Sequence, residues 1–110
     1  MSYVSYNDTG EPSPCVLGFA IFRRVGDDGE LLQIAVDKVA RGSGISDLLM
    51  TDVIEYAKKE SLNSVFLEVR SSNEAAVNLY LKHGFTTIRV RKNYYDDPVE
   101  DALIMSKVLN

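Results

Sequence analysis

Leu31-Leu32-Gln33-Ile34-Ala35-Val36-Asp37-Lys38-Val39-Ala40-Arg41-Gly42-Ser43-Gly44-Ile45-Ser46-Asp47-Leu48-Leu49 is the stretch around which the chain is organised. Its first part, Leu31 to Val36, is an apolar run of strand length. Arg41 to Ser46 is a short, basic, glycine-rich loop that opens directly into an apolar-periodic helix. A strand that delivers such a loop to a helix N-terminus leaves backbone N–H groups without helical partners, and the helix dipole adds partial positive charge there. The physics of that junction is anion binding, usually of phosphate. The alternative is an ordinary strand–helix turn that uses glycine for its positive φ.

The residues narrow the choice of phosphate ligand. A Walker loop ends in Gly-Lys-Ser/Thr, which is absent. The dinucleotide fingerprint needs a third glycine where Gly42-Ser43-Gly44-Ile45-Ser46-Asp47 places Asp47, and a carboxylate there would repel a pyrophosphate. What remains is Arg-x-x-Gly-x-Ser, Arg41 to Ser46.

The rest of the chain bounds the setting. One hundred and ten residues make one domain, residues 1–110, large enough for a single core. Hydrophobic residues at 45% and charged residues at 25% are the profile of a soluble globular protein. A net charge of −4 argues against nucleic acid or an anionic membrane as a primary partner and suits a cationic substrate such as a protonated amine. The single cysteine, Cys15, has no internal disulfide partner, which points to a reducing cytosol and to a plain structural thiol. No apolar run approaches the roughly 18 residues of a membrane span, and no signal peptide is visible.

Taken in order, Tyr3 to Tyr6 reads as a short strand and Asn7 to Pro14 as a turn cluster. Val16 to Val25 is a long strand, and Gly26-Asp27-Asp28-Gly29 turns it into Leu31 to Val36. A helix from about Gly44 to Glu60 places Ile45, Leu48, Leu49, Val53, Tyr56 and Ala57 at a spacing near 3.6. Val65 to Val69 is a buried strand. The second helix begins near Ser71-Ser72-Asn73-Glu74, where Ser71 with Glu74 has capping-box spacing and Asn73 is the other candidate cap. It ends at His83, before the stop residue Gly84. Thr86 to Arg91 and Ala102 to Val108 then pair around a loop from Lys92 to Asp101. Strands and helices alternate in the manner of a mixed sheet covered by helices, an α/β (α+β) architecture.

Four motifs stand in order: Ala35-Val36-Asp37 before Arg-x-x-Gly-x-Ser; Leu67-Glu68-Val69-Arg70; Ser72-Asn73-Glu74-Ala75-Ala76 leading to Leu79-Tyr80; and Gly84-Phe85 with Arg91-Lys92-Asn93-Tyr94-Tyr95. Together they resemble the GCN5-related N-acetyltransferase (GNAT) superfamily, within it the ribosomal-protein alanine N-acetyltransferases and related protein N-terminal acetyltransferases. The resemblance covers roughly Leu31 to Leu109. It implies a single GNAT-type domain with a mixed, mostly antiparallel sheet, splayed central strands and flanking helices. It also implies acetyl transfer from acetyl-CoA to the α-amine of a protein N-terminus, with no metal. In that family the splay between Leu31–Val36 and Val65–Val69 admits the pantetheine arm. The backbone of Ile34, Ala35 and Val36 would hydrogen-bond that arm. The N–H groups of Arg41, Gly42, Ser43, Gly44, Ile45 and Ser46 would hold the pyrophosphate, and Asn73 and Tyr80 would contact the cofactor. Glu68 matches the general base and Tyr80 the general acid, while Tyr94 and Tyr95 lie in the loop that covers the acceptor peptide.

The chemistry is coherent without a protein nucleophile, because an amine can attack a thioester directly. A protein α-amine has a pKa of about 7.7–8.0, so a useful fraction is neutral at pH 7, whereas lysine at about 10.4 demands a stronger base. That favours an N-terminal acceptor over a lysine. Each assignment also has a plainer rival. Glu68 could be a carboxylate paired with Arg70 or a lysine, although inside Val-Phe-Leu-Glu-Val a buried carboxylate needs a reason. Tyr80 could be core packing, and His83 a favourable contact with the helix dipole. Tyr94 and Tyr95 could be aromatic anchors. Asp96, Asp97, Glu100 and Asp101 are either a solvated rim or an attraction for a basic segment.

Two features depart from the family. Ser46 stands where the loop usually ends in Gly or Ala; serine is small and keeps its N–H. Family members also carry a strand and two helices before the region that Tyr3 begins, so this reading is N-terminally shortened. The expectation that follows is an exposed strand edge at Tyr3 to Tyr6 and a homodimer that covers it. A small-amine acetyltransferase and a shortened, non-catalytic acetyl-CoA-binding domain are the competing functions.

Overall fold

The computed structural model describes residues 2–6, 18–37 and 44–109. The elements are β1 (Ser2–Tyr6), β2 (Gly18–Val25), β3 (Asp28–Val36), α1 (Ile45–Lys59), β4 (Ser64–Arg70), α2 (Glu74–Lys82), β5 (Thr86–Asp96) and β6 (Val99–Val108). The strands form one six-stranded sheet in the order β1-β2-β3-β4-β6-β5. Every neighbouring pair is antiparallel except β3 with β4. A parallel pair needs a crossover, and α1 supplies it. The turn cluster Asn7 to Pro14 and Cys15 lie outside the described residues.

One face of the sheet is covered by both helices. β4 alternates strictly, with Val65, Leu67 and Val69 buried and Phe66, Glu68 and Arg70 on the other side. The fully buried side chains Leu49, Met50, Val65, Leu67, Phe85 and Met105 define the centre of the core between sheet and helices. Burying each of the large ones is worth about 1.5–3 kcal/mol, which is what docks α1 on β2, β3 and β4. The buried stripe of α1 is Ile45, Leu49, Met50, Val53, Ile54 and Ala57. It is rotated from the spacing read in the sequence: Leu48 and Tyr56 are exposed, while Met50 and Ile54 replace them inside. Apolar residues cover more than half of this helix, so its period does not select a face; the sheet does.

Several boundaries moved. The β2–β3 turn is shorter than the four residues expected, only Gly26 and Asp27, with Gly26 at φ 62°. Gly29 belongs to β3 and is buried against the Phe22 ring, in space that a Cβ would need. Asn73, not Ser71, caps α2: its side-chain oxygen accepts from the Ala76 N–H at 3.2 Å. The segment expected as a loop, Lys92 to Asp101, is mostly strand, and β5 and β6 continue to a tight turn at Asp97-Pro98, a cis peptide. An exposed hairpin with charged residues on both faces carries no hydrophobic alternation, so the sequence pattern hid it.

Candidate active site

The site begins where two strands part. β3 and β4 pair only at Gly29 with Val65 and Glu30 with Phe66, and no pair follows. At the same level the β2–β3 ladder shifts register: Phe22 faces Leu31 and Ile21 faces Gln33, leaving Leu32 as an extra residue. A bulge of this kind bends its strand and increases the local twist, which accounts for β3 swinging away from β4. The opening leads to a cleft of about 650 Å³ lined by Ile34, Ala35 and Val36 of β3, Ser46 of α1, and Asn73, Ala75, Ala76 and Leu79 of α2. Four of the eight are alanine or serine, and their small volume keeps the cleft open between strand and helix.

The α1 N-terminus stands at one end of this cleft. Gly44 is its N-cap at φ 86°, and no side chain caps the helix. Nothing lies within 4 Å of the position a Cβ would take at Gly44, so glycine serves the backbone conformation there rather than packing. The first-turn N–H groups are left for a ligand or water. Asp47, in that same turn, would oppose an anion, but it is already engaged. Its carboxylate contacts His83 Nε2 at 2.7 Å and Lys82 Nζ at 3.0 Å. The hydrogen bond to His83, then that to Lys82, holds the Asp47 carboxyl below its ordinary value. The C-terminal end of α2 thus offsets the negative charge at the start of α1. Arg41, Gly42 and Ser43 lie outside the described residues. The Ile45 side chain is buried in the core, so only its backbone N–H is available to a ligand.

Asn73 lines the cleft while its oxygen serves as the α2 cap. Further along α2, Tyr80 is buried, its ring 6.0 Å from that of Phe85. Burial pushes the Tyr80 phenol up from its ordinary value, which favours its neutral, protonated form.

The other side of β4 differs. Glu68 is exposed, which removes the burial argument made for it from the sequence: it is in an apolar strand but on the open face. It does not pair with Arg70. The Arg70 guanidinium instead lies 4.0 Å from the centroid of the Tyr95 ring. Tyr94 and Tyr95 pack edge to face at 5.2 Å, and Arg91 lies 5.3 Å over Tyr94. A second irregularity delivers this pair. The β5–β6 register slips between Arg91 and Tyr95, with Asn93 at φ 52° and its N–H bonded to the Asp101 carboxylate at 2.9 Å. That hydrogen bond, then Lys92, holds the Asp101 carboxyl below its ordinary value. Burial first, then the Glu68 charge, pushes the Tyr95 phenol up.

Ile34, Ala35, Val36, Ser46 and Asn73 are therefore gathered on one cleft, with Gly44 and Ile45 at the helix start beside Ser46. Glu68 and Tyr80 occupy opposite sides of β4: Glu68 is exposed on the side away from the helices, and Tyr80 is the buried residue of α2. Ala75, Ala76 and Leu79 also line the cleft; the signal for the two alanines in the sequence is a pair of small residues in the first turn of a capped helix. Among the described residues no group of His, Cys, Asp and Glu is arranged to hold a metal ion, and no helix is long and apolar enough to cross a membrane.

The family model for the acetyltransferase (GNAT) family matches residues 1–85. The [ribosomal protein bS18]-alanine N-acetyltransferase of Escherichia coli (strain K12) is 40% identical over 90 residues, covering 80% of this chain and 61% of that protein. The crystal structure of the ribosomal-protein-S18-alanine N-acetyltransferase from Escherichia coli superposes with a TM-score of 0.83 at 35% identity, covering 91% of this chain and 66% of that one. The NatC complex, solved bound to Gag peptide and CoA, contains a chain matched with a TM-score of 0.83 at 26% identity, over 96% of this chain and 69% of that one. The chain spans about three fifths of the length of the bS18-alanine acetyltransferase it matches.

Proposed function

The chain belongs to the acetyltransferase (GNAT) family, and on that premise we propose that it transfers an acetyl group from acetyl-CoA to the α-amine of a protein N-terminus. The observation that carries this reading is the cleft at the β3–β4 splay, with an uncapped helix start at one end and Glu68 across β4. The names of the relatives supply the acceptor class: ribosomal-protein alanine acetylation, and in the NatC complex a bound peptide with CoA.

The residues present fit acetyl-CoA, which when bound supplies an acetyl thioester open to direct attack by an amine. The N–H groups at Gly44, Ile45 and Ser46, with Arg41, Gly42 and Ser43 before them, suit a pyrophosphate. The β3 backbone at Ile34, Ala35 and Val36 and the α2 wall at Asn73, Ala75, Ala76 and Leu79 suit the pantetheine arm. A strand N–H at the splay can hold the carbonyl oxygen where charge develops, a contribution typically of about 3 kcal/mol. Glu68, on the open side, accepts the proton of the amine directly or through water. Tyr80, neutral on the buried side, donates a proton to the departing sulfur. Tyr94 and Tyr95 position the acceptor peptide. The division of base and acid between the two sides of one strand suits a transfer made across the splay in a single ternary complex.

A peptide array of free N-termini, incubated with acetyl-CoA and the full chain, tests the proposal. The expected product is acetylation of α-amines with little on lysine side chains. A chain that binds acetyl-CoA by calorimetry yet acetylates no peptide overturns the enzymatic reading in favour of a binding domain. A homodimer in a reducing cytosol completes the proposal: among the described residues β1 is an outer strand of the sheet, a position at which a second copy can pair. Sedimentation of a compact monomer at micromolar concentration removes the dimer.

A further inference from the structure

Arg70 sits two residues beyond Glu68 on the same side of β4, where an arginine would ordinarily pair with the carboxylate. It does not. Its Nη1 is shielded from solvent and makes no hydrogen bond among the described residues, and its guanidinium is stacked at 4.0 Å on Tyr95. A cationic donor left without a partner calls for a reason, since nearly all buried polar groups find one. The flanking chain is also held firmly. The Ser71 N–H bonds the Asp101 carbonyl at 3.1 Å, and the Ser72 hydroxyl donates to the Glu100 carboxylate at 2.7 Å. Glu100 is the register partner of Tyr95. Both ends of the Arg70–Tyr95 contact are thus tied to the same hairpin.

We propose that Arg70 is a positioning residue for acceptor recognition: stacked on Tyr95, it fixes the Tyr94–Tyr95 pair beside Glu68 and leaves the Glu68 carboxylate unpaired for the incoming amine. A planar guanidinium can stack on a ring and still keep its charge, which an ammonium on a flexible stem does less well. The assignment rests on the peptide-acetylation reading above and extends it to a residue that acts through Tyr95.

The test combines kinetics with a spectroscopic titration. In peptide acetylation, Arg70→Met is expected to raise the peptide KM by about 3- to 30-fold with the acetyl-CoA KM unchanged, and Arg70→Lys to recover only part of that loss. In parallel, the Tyr95 phenol is titrated by tyrosinate absorbance, assigned by difference from Tyr95→Phe. Its midpoint is expected to move upward in Arg70→Met, because the guanidinium favours the phenolate. An unmoved midpoint shows that the stack does not exist in solution and overturns the proposal. So does an unchanged peptide KM, or full rescue by lysine. If the wild-type chain acetylates no peptide while the midpoint still shifts, the function reading fails and the stack survives as structure alone, which also removes the acceptor role.

Discussion

The two sides of β4 are built in opposite ways. On the helix side, Val65, Leu67 and Val69 are buried with Tyr80 and Phe85, and the cleft beside them is lined by three alanines and Ser46 together with Ile34, Val36, Asn73 and Leu79. On the open side stand Phe66, Glu68 and Arg70, with the exposed tyrosine hairpin beyond them. The first side is shaped by hydrophobic burial and presents a cleft lined by small and apolar residues; the second is shaped by charge, stacking and a bulge and presents charged and aromatic side chains. A cleft with few polar side chains suits a ligand that is the same in every reaction. A side-chain surface suits one that must be selected. That contrast predicts that substitutions on the two sides will separate by which substrate they affect.

The sharpest break of the contrast is chemical, since base and acid come from different sides yet serve one step. Glu68→Gln and Tyr80→Phe are each expected to lower kcat by about 10²–10⁴ with acetyl-CoA affinity largely kept. Near wild-type turnover in both would leave the mechanism without its named groups. Next in size is Gly44→Asp, which forces a side chain into the left-handed region and puts negative charge at the helix start. The lost dipole attraction and the repulsion of a bound anion amount to about 1–2 kcal/mol, or roughly 10- to 30-fold in acetyl-CoA affinity, while the left-handed strain is borne by free and bound protein alike and weakens folding instead. Calorimetry on the folded variant decides it, and unchanged affinity would remove the pyrophosphate assignment.

Two smaller effects sharpen the division. Ala76→Leu narrows the cleft and should raise the acetyl-CoA KM by about 10-fold, in line with the 1–3 kcal/mol typical of overpacking, while the peptide KM holds. If both constants rise together, the two sides are not independent. The smallest effect is electrostatic. The Asp47 carboxyl is depressed by His83 and Lys82, so the stability it contributes is present above the ordinary carboxylate value of 3.8 and is lost as the pH falls through the depressed one. Because Asp47 is well exposed, Asp47→Asn should cost only about 0.5 kcal/mol at neutral pH. Denaturant melts should show the gap between variant and wild type at neutral pH and should converge only in acid below the depressed Asp47 value; a constant gap would assign the loss to packing instead.

Much of this was legible in the chain itself. Element order, the glycine-rich junction before α1 and the strand holding Glu68 follow from short-range rules: apolar runs, glycine at positive φ, caps and stops within a few residues. The four motifs in order carried the family resemblance for the same reason, since each is a local constraint on backbone or chemistry. What the chain could not settle are choices made between distant segments. Which face of α1 turns inward depends on the sheet it meets, because its apolar residues span more than half the helix. Glu68 reads as buried by its neighbours in sequence but is exposed, because alternation puts it on the face turned away from α1 and α2. The β5–β6 hairpin has no apolar alternation and exists through its ladder and the Asn93–Asp101 bond. Arg70 was one charge beside another until tertiary packing brought the Tyr95 ring under it. Local sequence determined which groups this protein has and in what order; only the tertiary structure decided which of them meet, because the partners are separated by tens of residues and are brought together by burial in the core.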